Sequence, residues 1–392
     1  LGFANHNRQR LAKAEVTSTL SPLAGRDVRQ DSGGQSRRRS ILTIALLALT
    51  CTPVLSAERT ASETIPAAVE GFVKPAYAAF HGSTAALKSS VDALCATPSP
   101  AALDAAHAAF GKTIRAWSEV EIIRIGPVTE ENRLERILYW PDRKGIGLKQ
   151  VQAAIAQQDV SVTEAAKLAG KSVAMQGLGA LEFVLFGTGS DKLAEGDAFR
   201  CSYGTAISGN LDTIAADVER GWEGSAGFGA TWARPSPENA FYRSDREALT
   251  DLLEVFVNGL ELVRDQRVGS FLGATERADK PKQALFWRSR GTATVLAGTM
   301  AGMKALFDAS ALAGTLPENS SWIAQSIDFE FGNAIRAAEG AEGPVDEVLA
   351  DPERRGKLSY FKLVTTSLSE LFGKRLSAEL GLTAGFSSLD GD

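Results

Sequence analysis

The sequence predicts an all-α fold built from two helical bundles. From about residue 64 onward, apolar residues recur at spacings of three and four, as in helices with one buried face. Pro, Gly and Ser cluster between these stretches and separate them. No run alternates apolar and polar residues for long enough to demand a sheet. Of the 392 residues, 44% are hydrophobic and 23% charged. That balance excludes a disordered or collagen-like chain, and the length suits roughly two domains.

The elements follow in order. Residues 1–57 read as an N-terminal extension followed by a signal peptide. Arg37-Arg38-Arg39 precedes the apolar run Ile41–Leu49, and small residues follow at Ser56-Ala57. A basic start, a short apolar centre and a small-residue exit are the parts of a secretory signal. The run is too short to span a bilayer. The arginines weakly resemble a twin-arginine signal. Cys51 is a candidate lipid anchor, but Ala48 and Thr50 fit that pattern poorly. Cleavage near Ala57 is the expectation. It removes 8 of the 42 basic and 3 of the 47 acidic residues and leaves 335 residues with a net charge of −10.

An acidic chain offers no counter-charge to phosphates, so no nucleic-acid partner is expected. No transmembrane span is expected in the mature chain. Its two remaining cysteines, Cys95 and Cys201, would meet an oxidising compartment. There a single disulfide is favoured over two buried thiols. It would close a loop of about a hundred residues, worth up to roughly 4 kcal/mol on the chain-entropy account.

The first bundle is expected over 58–222. A helix over 64–94 carries Val69, Phe72, Val73, Tyr77 and Phe80 on its inner face, and Pro98 and Pro100 end it. Ser99 can cap the next helix with Pro100 at its first position. That helix runs from about 100 to 125, with Leu103, Ala106, Phe110, Ile114 and Trp117 in one stripe. A turn-rich stretch follows from Gly126 to Gly147. Helices are expected again at 148–158, 162–186 and 197–222. A Gly, Ser and Pro-rich linker spans 223–240. The second bundle, 241–392, holds helices near 244–265, 281–309, 319–338 and 355–379.

Standard catalytic patterns are missing. There is no His-Glu-x-x-His and no Gly-x-Ser-x-Gly. His81 and His107 read as packing or surface residues. Three polar clusters remain. In the first, Gly177 and Gly179 lie in an apolar stretch with Glu182, whose neighbours Leu181 and Phe183 would partly bury its carboxylate. In the second, Trp117, Glu121 and Arg124 share a helix face at spacings of four and three. The third is Trp140-Pro141-Asp142 in the turn-rich stretch. Such groups can line a ligand pocket between helices. They can equally form a structural Glu–Arg network.

Several of these segments resemble the imelysin family, also called imelysin-like or M75 peptidase family proteins. The matching residues include Trp117-Ser118-Glu119-Val120-Glu121, Arg124-Ile125-Gly126-Pro127, Asn132-Arg133, Arg136-Ile137 and Trp140-Pro141-Asp142. Further matches are Val173–Leu178, Leu181-Glu182, Phe199-Arg200-Cys201, Phe286-Trp287-Arg288-Ser289, and Gly385-Phe386 with Leu389–Asp392. Together they cover about 64 to 392.

The resemblance implies two helical bundles related by a pseudo-twofold. It also implies export to the periplasm or anchoring at the outer membrane. The founding description is of a metallopeptidase, and other members are tied to iron uptake. The family signature is Gly-x-His-x-x-Glu, with the His and Glu as proposed metal ligands. Here the Gly falls on Gly177, the Glu on Glu182, and the His on Gly179, which has no side chain.

A hydrolytic zinc site normally needs three protein ligands. The expectation is therefore a non-catalytic, periplasmic, iron-linked binding or uptake protein. Its metal, iron or another divalent or trivalent ion, would be held by Glu182 and Glu121, with Asp142 as a third candidate. Gly177, Gly179, Trp117, Arg124, Trp140 and Arg288 would line the pocket, and the arginines would orient carboxylates. Partners would be a metal ion or small ligand and an envelope transport partner. The alternatives are a metal-dependent peptidase and a metal-free interaction scaffold.

Overall fold

A computed structural model of the chain describes residues 61–382. The expected signal peptide, Cys51 and the C-terminal Gly385–Asp392 lie outside the described residues. Among the described residues there are helices and turns and no strand.

Helix α1 runs through Ala61–Ala68, a π-helical turn at Val69–Val73, and Lys74–Ala96. Val69, Phe72, Val73, Tyr77 and Phe80 are all buried, as their spacing predicts. Helix α2 is Pro100–Val120, and the Ser99 hydroxyl accepts from the Ala102 amide at 3.2 Å. This capping bond satisfies an N–H that has no partner inside the helix. Helix α2 stops short of the expected 125. Beyond it the chain turns, and the turn buries Ile122 and Ile123 at successive positions.

Helices α3, Ile146–Gln157, and α4, Gly177–Phe186, follow. The expected single helix over 162–186 is broken. Only Ala165–Leu168 and short 3-10 turns precede α4. The break falls at Gly177, whose φ of +73° is left-handed. Its missing Cβ lets the carbonyls of Arg136 and Ile137 approach the backbone.

Helix α5 is Ala198–Trp222, capped by Asp197, whose carboxylate accepts from the Arg200 amide at 3.0 Å. Cys95 at the end of α1 is bonded to Cys201 near the start of α5, with Cα atoms 5.4 Å apart. Segment 223–240 contains a short helix, Phe228–Ala233. Its Trp232 is fully buried and donates to the Ala248 carbonyl at 3.2 Å.

Helix α6, Asp245–Glu261, continues as a π-helix through Leu262–Val268. Helix α7 is Thr292–Ser310, rather than the expected 281–309. Residues before it form a 3-10 turn at Pro281–Gln283 and then a turn with Phe286 and Arg290 left-handed. Helix α8 is Ser321–Glu339, and α9 runs from Pro352–Glu370 through Leu371–Leu376 and Ser377–Glu379.

Helix α1 packs on α2 and α5, and α8 packs on α7 and α9. The two groups meet where α7 lies against α2. Gly298 and Gly302, four apart on α7, face Ser118 and the Glu119 backbone of α2. A Cβ at either position would collide, so the missing side chains set the closeness of this crossing. One apolar core runs from Ile65 to Leu382.

Candidate functional site

Helix α4 is buried on nearly every side, so its polar groups must find partners inside the protein. Gln176, just before it, accepts from Asn210 at 2.9 Å and Arg136 at 3.2 Å, and donates to the Lys171 carbonyl at 2.9 Å. At the other end, Arg200 donates to the Val184 carbonyl at 3.1 Å and to the Thr188 carbonyl. A cation here completes the last turn and opposes the negative end of the helix dipole. Phe183 and Gly179 face the same hollow as Glu182. A Cβ at Gly179 would meet nothing nearer than the Tyr139 carbonyl at 4.0 Å.

Glu182 is 5% exposed. Its Oε1 accepts from the Ser289 amide at 2.9 Å and the Ser289 hydroxyl at 2.8 Å. The Arg288 guanidinium stands 3.9 Å from Oε2, too far for a hydrogen bond. Burial pushes the carboxyl above its ordinary range, while Ser289 and Arg288 oppose that shift. The left-handed residues Phe286 and Arg290 bracket the turn that presents Arg288 and Ser289. Phe286 itself is buried edge-on against Phe110, with centroids 5.7 Å apart.

The loop after Ile137 supplies a second wall. Its Trp140-Pro141 bond is cis. Asp142 folds back onto the start of α3, accepting from the amides of Ile146 at 2.8 Å and Leu148 at 3.0 Å. Both of its oxygens are thereby used in capping.

These walls and the turn at 280–288 enclose a cavity of about 700 Å³. Trp140, Asp142, Gly179, Glu182 and Arg288 all line it. The expected pocket residue Gly177 instead packs against the carbonyls of Arg136 and Ile137. Trp117 is buried against Phe80 at 5.0 Å between centroids. Arg124 is exposed and lines a different hollow of about 150 Å³ with Asp251 and Glu254.

Glu121 lies behind the wall. Arg267 donates to its Oε2 at 2.6 Å, and the Thr299 hydroxyl lies 3.3 Å from Oε1. The Arg267 guanidinium stacks over Trp140, 4.4 Å from the ring centroid. The three carboxylates expected to share an ion therefore sit in three separate settings. Glu121 pairs with Arg267, Asp142 caps α3, and Glu182 is held by Ser289. Among the described residues, no group of three His, Cys, Asp or Glu side chains could hold a metal ion. The histidines do not contribute: His107 bonds the Leu185 carbonyl at 2.8 Å, and His81 pairs with Glu219.

The imelysin (peptidase M75) family model matches residues 73–371. The chain belongs to the imelysin family. This imelysin family member is 22% identical over 326 residues to iron-regulated protein A of Synechococcus elongatus, covering 78% of this chain and 82% of that protein. Its fold is shared with an imelysin-like protein from Psychrobacter arcticum: TM-score 0.67, 22% identity, covering 84% of this chain and 98% of that one. It is also shared with an iron-regulated protein A precursor from Parabacteroides distasonis: TM-score 0.67, 15% identity, covering 81% and 95%. Among the described residues of the imelysin chain, no helix is long and apolar enough to cross a membrane.

Several residues of this imelysin site carry no sequence signal of their own role. Arg267 is 146 residues from Glu121, so no helical spacing links them. Gln176, Arg136 and Asn210 are likewise joined only by the fold. Ser289 could have been suspected from its place beside Arg288 in the Phe-Trp-Arg-Ser segment.

Proposed function

We propose that this imelysin family member is an exported, periplasmic, non-catalytic binding protein in an iron-linked process, and that it holds a small ligand in the α4 cavity rather than a bare metal ion. The observation that carries this reading is the cavity itself. At about 700 Å³ it has the size of a small-molecule site, and the signature positions 179 and 182 form part of its wall.

The donor set does not suit a resident metal. Gly179 offers no imidazole, and the carboxylates of Glu121, Asp142 and Glu182 are each bonded elsewhere. A bound divalent ion would need several of them around one point. The same lack weighs against a metal-dependent peptidase, which needs an open position on a held ion. The iron link is drawn from the name of the Synechococcus relative. Export is drawn from the Arg37–Ala57 pattern.

Three measurements test the reading. Chain expressed with its N-terminus intact is expected in the osmotic-shock fraction, shortened to a start near Glu58. Recovery of uncleaved chain in the cytosol overturns export. Purified protein is expected to leave casein intact, and to retain no ferrous iron after desalting. Chelator-sensitive cleavage, or a stoichiometric iron lost on Glu182→Ala, overturns the ligand-not-ion reading.

A further inference from the structure

We propose that the cavity binds a small organic polycarboxylate, with one carboxylate forked onto Arg288 and the others held by Arg143, Lys280 and Lys282. This deepens the binding-protein reading and rests on it.

The cavity lining carries four cationic side chains, Arg143, Lys280, Lys282 and Arg288, against three acids, Asp142, Glu182 and Asp265. Its acids have partners, though Glu182 Oε2 has only the Arg288 guanidinium, 3.9 Å away. Asp142 accepts two backbone amides, and Glu182 accepts two bonds from Ser289. Asp265 is clasped by Arg264, with contacts of 2.6 and 3.0 Å.

The cations have fewer partners, although Lys282 Nζ lies 5.9 Å from the Trp287 ring centroid. Among the described residues, Arg143, Lys280 and Lys282 form no ion pair, and all three are exposed side chains of the cavity lining. Arg288 is more constrained. Its guanidinium lies 4.4 Å from the Trp287 ring centroid and 5.4 Å from that of Phe183. Its one carboxylate neighbour is 3.9 Å away, and its side chain donates no hydrogen bond among the described residues. A half-buried planar fork, stacked in place and short of acceptors, is arranged for bidentate recognition of an oxyanion.

The walls suggest what carries those oxyanions. Leu138, Val151, Ala180 and Leu285 give the cavity apolar surface, which suits a carbon skeleton better than a hydrated inorganic ion. Gly179 matters because it leaves open space beside Glu182. Any larger residue there would occupy ligand volume.

Isothermal titration of the purified chain near neutral pH tests this, with citrate, trimesate and inorganic phosphate as probes. Citrate or trimesate is expected to bind once per chain and more tightly than phosphate. Arg288→Gln and the paired Lys280→Ala/Lys282→Ala are each expected to weaken binding roughly tenfold. Gly179→Leu is expected to weaken it by blocking space. Lys374→Ala, on the exposed end of α9, is expected to change nothing. The lysine pair is exposed, so unchanged thermal unfolding keeps that variant informative even if Arg288→Gln misfolds.

Absence of binding by both polycarboxylates overturns the proposal. So does equal binding by the variants, or by phosphate. Repeating the titration with ferric citrate separates the two readings. Binding that ignores iron upholds the polycarboxylate site and removes the iron link. Iron retention with no polycarboxylate binding overturns the polycarboxylate site and also the ligand-not-ion reading.

Discussion

Arg267 donates to Glu121 across 2.6 Å, with side chains only 4% and 3% exposed, and so ties the end of α6 to the end of α2. Two more Arg267 groups, Nε and Nη1, are buried without an acceptor among the described residues. Burial holds the guanidinium below its ordinary range, and Glu121 opposes that. Trp140 covers the guanidinium face and closes it off from the cavity. The pair is thus a structural joint and not part of the binding surface.

Removing one partner of such a joint should cost far more than removing both. Arg267→Met leaves a buried carboxylate without its counter-charge and is expected to lower unfolding free energy by about 3–5 kcal/mol. Adding Glu121→Gln should recover most of that loss. Urea denaturation of the three proteins measures it. If the double variant is no better than the single, the pair is not the source of the effect.

Glu182 makes a pH prediction. Its folded pKa is raised above the ordinary 4.5, chiefly by burial. Between those two values the folded protein holds more protons than the unfolded one, so this group's contribution to stability falls as pH rises through that window. Glu182→Gln lacks the titration, and its amide oxygen can still accept from Ser289. The variant should therefore gain on wild type as pH rises, with no further change once Glu182 is fully ionised. Thermal unfolding at a series of pH values checks this. A Gln variant that instead loses ground as pH rises would contradict the assignment.

The helices were legible because burial writes a period into the chain. Tyr77, Phe80, Phe110 and Trp117 all fall where their spacing puts them. Local breaks were less legible. Residues 162–186 are apolar enough for one helix, and nothing local marks the break at Gly177, whose φ is +73° and whose missing Cβ admits the Arg136 and Ile137 carbonyls. The site was partly legible: Trp140, Asp142, Gly179, Glu182 and Arg288 share one cavity. The separation of the acids was not readable, because it depends on partners such as Arg267 and Ser289 that lie far along the chain.

Gly177 and Gly179 should respond in opposite ways to alanine. At Gly177 a Cβ would strike two carbonyl oxygens, and φ is +73°. Gly177→Ala is expected to cost about 2–3 kcal/mol or more. Gly179 lies inside α4 with open space at its Cβ, so Gly179→Ala should stabilise by up to about 1 kcal/mol through helix propensity. Chemical denaturation of both variants decides it, and equal effects would rule out the proposed difference in setting.

The disulfide should be worth most where chain entropy is largest. Cys95 and Cys201 are 106 residues apart in sequence and join α1 to α5, which already pack together. Replacing both by Ser should lower unfolding free energy by about 2–5 kcal/mol, because the unfolded chain regains the freedom of a long loop. The loss should be the same, within error, as that produced in wild type by a reductant during denaturation. It should be absent when reductant is added to the Ser variant. Should reductant leave the wild-type curve unmoved, the crosslink is either unformed in solution or adds nothing to stability.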